Sequence, residues 1–111
     1  MGAIVYEDFA RVEMRVGRIV RVEDFPAARQ PAYKLWIDFG PYGVRPSSAQ
    51  ITRLYRKEDL PGRLVVAVTN LPPKRIAGFV SEVLVLGVDG PEGGVVLLRP
   101  DAEVALGSRV Y

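Results

Sequence analysis

The chain has 111 residues, 49% of them hydrophobic and 25% charged, with a formal net charge of +2; this is the composition of one folded unit with a single core, not of a disordered segment. It contains neither cysteine nor histidine, which excludes a disulfide framework, thiolate chemistry and the imidazole that most often serves as general base or metal ligand. No apolar run approaches the ~20 residues that span a bilayer, and MGAIVYEDFARVEMR at the start lacks a basic leader and a long apolar stretch, so a single domain over residues 1–111, cytoplasmic and without membrane insertion, is expected.

In chain order, residues 14–25 alternate apolar and charged positions, but the adjacent pair Ile19-Val20 shifts the phase close to Gly17; this predicts a bulged, strongly bent strand. PAARQPA reads as a loop. YKLWIDF is the cleanest strand, with Tyr33, Leu35, Ile37 and Phe39 on one face and Lys34, Trp36 and Asp38 on the other. An outward Trp36 marks an interface, with a ligand or with a second subunit. VRPSSAQI predicts a third, short strand at an edge because of Pro46. Ile51, Leu54 and Tyr55 then fall at helical spacing, Ser47 and Gln50 fit an S-x-x-Q capping box, and Pro61-Gly62 ends the element. RLVVAVTN is an almost wholly apolar strand, EVLVLGV and GVVLLRP are two more joined by the hairpin connection DGPEGG, and LGSRVY adds a short terminal strand. Five to six strands with this helix placement predict an all-β fold: a five-stranded OB-fold Greek-key barrel with a short helix between strands 3 and 4 and short terminal extensions. An SH3-like barrel is the rival, and it usually lacks that helix.

Charge is unevenly distributed. Residues 45–75 carry seven cations against Glu58 and Asp59, whereas residues 82–103 carry five anions against Arg99. The basic segment reads either as a patch for phosphate or acidic peptide or as a solvated surface. Lys74 and Arg75 lie in a loop stiffened by Pro72 and Pro73, which suits a cationic rim on a binding groove and equally a solvated connector. Asn70 and Ser81 are candidate ligand donors or turn caps. Phe79 is a stacking platform, a pocket wall or a barrel plug. Arg53, Arg56 and Lys57 join the patch or form a wet helix face, and Ser48 and Gln50 border the same region. No paired carboxylates, Gly-rich phosphate loop or metal-ligand cluster is present in the sequence, so neither an enzyme nor a cofactor is expected. The fairly apolar AEVALGSRVY, together with AIVYEDFARV, predicts docking on a two-fold partner through Phe9, Val12, Val104, Leu106 and Val110.

The segments SSAQITRLY, NLPPKRIAGFVSEVLVLG and DFGPYGVRPSSAQIT resemble the tRNA-binding-domain family of OB-folds, most closely its CsaA-type protein-export chaperones, and the likeness covers nearly the whole chain. The resemblance implies a homodimer. For the chaperone branch it implies binding of unfolded or precursor polypeptides, with the export machinery as a further partner; for the wider family it implies structure-selective tRNA binding in the same groove. The tRNA-binding branch has Asn-Leu-x-Pro-x-Lys, then Arg-Gly, then Ser-x-Gly-Met. Asn70, Leu71, Pro73, Lys74 or Arg75, Gly78 and Ser81 match it in kind, but Glu82-Val83 replaces the Gly-Met that should follow the serine. A carboxylate there repels phosphate, which favours the polypeptide-binding branch.

Overall fold

The computed structural model describes residues 1–111. A short helix, α1 (Tyr6–Ala10), leads into β1 (Met14–Asp24), β2 (Tyr33–Asp38), β3 (Val44–Ala49) and β4 (Leu64–Val68). The hairpin β5 (Lys74–Ile76) and β6 (Phe79–Ser81) follows, then β7 (Leu84–Val85) and the hairpin β8 (Gly87–Asp89) and β9 (Val95–Leu97). The main sheet is antiparallel, in the order β3-β2-β1-β4-β7. It curls into a nearly closed five-stranded barrel of the OB type. The seam between β3 and the chain leaving β6 is stitched by three hydrogen bonds that involve the main chain: the Glu82 amide to the Pro46 carbonyl at 2.9 Å, the Ser48 amide to Ser81 Oγ at 3.0 Å, and Ser47 Oγ to the Val83 carbonyl at 3.0 Å.

The alternation in β2 determines the core. Leu35, Ile37 and the following Phe39 are fully buried, and Trp36 and Lys34 face outward. The three buried side chains pack with Ile19, Leu60, Val65 and Ala67. The expected bulge in β1 is present, as a register shift between Ile19 and Arg21, and Gly17 lets β1 lie close over the core. A Cβ at Gly17 would come within 2.5 Å of Ile37 Cγ2.

The expected short helix between the third and fourth strands is a single 3-10 turn, Lys57–Asp59. The capping box is not formed. Ser47 and Ser48 belong to β3, and the buried Ser47 hydroxyl crosses the seam instead of capping a helix. The helical spacing of Ile51 and Tyr55 arises from a loop that folds over the barrel end. Ile51 is buried, the Tyr33 hydroxyl donates to the Tyr55 carbonyl, and the Leu97 amide donates to the Tyr55 hydroxyl. The segment expected as one strand over residues 82–88 is broken into β7 and β8, while DGPEGG does join a hairpin, β8–β9. The C-terminal segment forms no strand, only an isolated bridge between Arg15 and Arg109. Helix α1 carries no strong apolar periodicity; its sequence signal is the acidic pair Glu7 and Asp8 in its first turn, which complements the helix dipole.

Candidate functional site: an apolar groove beside a cationic hairpin

A groove of about 400 Å³ runs along the barrel seam. One wall is the end of β3 and the residues after it, Ser48 to Ile51; the other is Leu71, Pro72 and the Lys74/Ile76 face of β5. Val85, Val95 and Leu97 form part of its lining. Hairpin pairing determines which cation reaches the groove. Lys74 lies opposite Ser81, and Arg75 lies opposite Val80, so alternation puts Arg75 on the other face. Of the residues singled out in the sequence, Lys74, Ser48, Gln50 and Ser81 line the groove; Pro73, Arg75, Asn70, Phe79 and Arg53 do not.

Those five have other positions. Phe79 packs edge-on against Phe25 and Trp36, with ring centroids 5.5 and 5.8 Å away, and so ties the β5–β6 hairpin to the outer face of β2. Arg21 lies over Trp36 at 4.7 Å and the Lys34 ammonium lies 5.3 Å from the Phe79 ring. Trp36 is therefore half-covered from within its own chain. The Asn70 side chain accepts from the Glu13 amide at 2.9 Å and donates to the Arg11 carbonyl at 2.8 Å, fastening the segment after α1 to the end of β4. Arg53 donates to the Glu92 carbonyl at 2.7 Å and braces the glycine-rich turn. Pro73 and Arg75 are exposed. The aliphatic lining, Ile51, Leu71, Ile76 and Val85, was not singled out. The signal for part of it was available in Leu71 and Ile76, the two apolar residues that bracket the cationic loop.

Much of the basic segment is neutralised. Arg45 pairs with Glu82 at 2.7 Å, Arg56 with Asp59 at 3.1 Å and Lys57 with Asp24 at 2.8 Å. The hydrogen bond that Lys57 donates to Asp24 holds its ammonium above the ordinary lysine pKa, and the bond to Asp59 does the same for the Arg56 guanidinium. Lys74 and Arg75 pair with no carboxylate. The groove thus presents one free cation beside an aliphatic lining. No group of three or more carboxylates is placed to hold a metal ion, and no helix is long and apolar enough to cross a membrane.

Among the residues expected at a two-fold contact, Phe9, Val12 and Val110 gather in one shallow apolar hollow with Tyr6 and Tyr111. Val104 is exposed elsewhere, and Leu106 is half-buried next to Gly40, its carbonyl 2.5 Å from where a Cβ would stand.

A family model described as "Putative tRNA binding domain" matches residues 14–109. The chain belongs to the tRNA-binding-domain family. Among solved structures, this family member superposes on chaperone CsaA from Bacillus anthracis with a TM-score of 0.93 and 49% identity, covering 99% of this chain and 100% of that one. The CsaA chaperone protein from Picrophilus torridus gives 0.92 and 48%, over 98% and 100%. Among curated proteins, the methionine–tRNA ligase of Thermococcus onnurineus is 41% identical over 107 residues, 96% of this chain. The chain spans only 14% of that ligase. The tRNA-binding domain is therefore found both at this length and as a small part of a large synthetase.

Proposed function

We propose that the chain is a chaperone of the CsaA kind: a cytoplasmic homodimer, related to protein export, that binds unfolded or precursor polypeptide in the groove beside the β5–β6 hairpin. The observation that carries this is the lining, mostly aliphatic with Lys74 as its single unpaired cation. Such a surface suits exposed apolar side chains of an unfolded chain and offers little to a polyanion. The likeness to two CsaA chaperones at 48–49% identity, over 98–99% of this chain, supports the same function. Binding is the whole activity in this proposal, with no catalytic step.

A second reading, structure-selective tRNA binding, is favoured by a different observation. Outside the groove, Phe79 lies beside Lys34 and Trp36 beside Arg21, and Arg75 stands free on the hairpin. Aromatic rings interleaved with cations are what unpaired bases stack upon. Salt titration of fluorescence anisotropy separates the two. Binding of labelled unfolded polypeptide should change little between low and physiological salt. tRNA binding should fall with a log–log slope of about −0.9 per phosphate neutralised on a duplex. A variant carrying Lys74→Ala and Arg75→Ala should lose tRNA and keep weakened polypeptide binding. Full retention of both ligands by that variant would remove the hairpin from the site. Light scattering behind a sizing column tests the dimer.

A further inference from the structure

The edge of β3 changes character along the groove. Pro46 and Ser48, two apart in β3, turn their peptide groups to the seam, and Gln50 follows at the same spacing just past the end of the strand. The first two are used by the seam: the Pro46 carbonyl accepts from the Glu82 amide and the Ser48 amide donates to Ser81 Oγ. At Gln50, which is exposed and lies on the groove wall, neither the peptide amide nor the carbonyl makes a hydrogen bond within the chain. The barrel is stitched shut at residues 46–48 and left open two residues further on, where the apolar lining begins. The charges nearby fit a neutral strand better than a polyanion, because Glu82 is held by Arg45 and only Lys74 is free.

Taking the polypeptide reading above as its premise, we infer that the groove receives its ligand by strand addition. An extended segment hydrogen-bonds through its backbone to the unpaired peptide groups at Gln50, and its alternate side chains turn toward the aliphatic lining at Ile51, Ile76 and Val85. Main-chain pairing supplies affinity that does not depend on side-chain identity, and the apolar wall asks only for a hydrophobic residue at every second position. A site of this kind accepts many unfolded segments and rejects folded ones, whose backbone groups are already paired.

The test is an N-methyl scan. The probe is a fluorescein-labelled nine-residue peptide, serine-rich, with valine at alternate positions and one central phenylalanine to hold the register. Each central amide is methylated singly, and affinity is read by anisotropy. Strand addition predicts a loss of about three- to tenfold at the one amide that donates to the Gln50 carbonyl, with changes under about twofold at its neighbours on either side. Protection of the Gln50 amide from hydrogen exchange should rise when the unmodified peptide is added. Equal affinities across the scan, or similar losses at several adjacent amides, overturn strand addition and leave polypeptide binding standing. Unchanged exchange at Gln50 in the presence of saturating peptide also overturns it. Failure of both the unmodified peptide and a full unfolded polypeptide to bind removes the functional reading itself, and this inference with it.

Discussion

Arg45 donates from Nε to Glu82 Oε1 at 2.7 Å, across the seam between β3 and the chain leaving β6. In the sequence, Glu82 stands as a carboxylate that would repel phosphate beside a cationic loop. In the fold it is half-neutralised, and it withholds Arg45 from any anionic ligand. Glu82→Gln should therefore raise tRNA affinity and steepen the salt slope by about one unit, because one more guanidinium becomes free to meet a phosphate. Both side chains are about a third exposed, so loss of the pair should lower stability by no more than about 1 kcal/mol. Filter binding over a salt series, with a thermal melt as control, reads both effects. An unchanged slope would mean that no phosphate comes near Arg45.

Gly17→Ala should be among the more damaging single-methyl changes in the barrel. The added Cβ would sit 2.5 Å from Ile37 Cγ2 and 2.8 Å from Phe39 Cε1, and both of those side chains are fully buried. Overpacking a well-filled core costs about 1–3 kcal/mol. The midpoint of urea unfolding should fall with the slope unchanged.

What the sequence disclosed follows from where side-chain period decides the outcome. The two-residue alternation of Tyr33, Leu35, Ile37 and Phe39 has one buried face to satisfy, and the fold uses it as it reads. The bulge at Ile19 was legible for the same reason. Ser47 was misplaced because a local signal, a serine three residues before a glutamine, competes with a seam bond to Val83, 36 positions away, that no local pattern announces. The groove was half-legible. The cationic loop is visible in the chain, but which of Lys74 and Arg75 faces inward depends on hairpin register, and the opposite wall at Gln50 and Ile51 comes from the residues that follow β3, more than twenty positions earlier.

Phe79→Ala should loosen the β5–β6 hairpin without unfolding the barrel. The ring is half-buried and meets Phe25 and Trp36 edge-on. Aromatic pairs of this kind contribute about 0.5–1.5 kcal/mol each beyond area burial. The chain contains one tryptophan, so its fluorescence reports on this contact directly. The emission maximum should shift to the red at temperatures well below the main transition. Polypeptide affinity should fall as well, because the wall formed by Lys74 and Ile76 is no longer held in place. A variant with unchanged emission would show that the hairpin is anchored by the seam bonds to β3 and not by the Phe79 ring.

Acid should act on Glu13 more than on the exposed carboxylates. Its carboxylate accepts from Arg15 Nε at 2.6 Å, and this hydrogen bond, against some opposition from burial, holds its pKa below the ordinary glutamate value. A pKa lower in the folded than in the unfolded state adds stability that is fully present above the unfolded value, about 4.3, and is lost as pH falls through the folded one. Glu13→Gln should thus lower the melting temperature at pH 6 and have progressively less effect as pH drops below about 4. Parallel melting curves for both proteins across that window would assign the acid sensitivity to other groups.

The tip of the β5–β6 hairpin carries a correctable strain. Ala77 and Gly78 connect the paired residues Ile76 and Phe79, and both have positive φ, 46° and 82°. Two successive positive values are the pattern of a type I′ turn, which Asn-Gly or Gly-Gly fills best. An alanine in the left-handed region is disfavoured by roughly 1–2 kcal/mol because its Cβ crowds the following carbonyl. Ala77→Asn, which keeps Gly78 and so creates Asn-Gly, should stabilise the hairpin by about 0.5–1 kcal/mol. The gain should appear as slower hydrogen exchange at the amides of β5 and β6, with little change in β1, β2 or β4. Ala77 is exposed and lies outside the groove, so polypeptide affinity should stay within about twofold of the parent or rise slightly as the wall stiffens. A marked loss of binding by Ala77→Asn, with the barrel intact, would mean that a flexible hairpin is itself required for ligand entry.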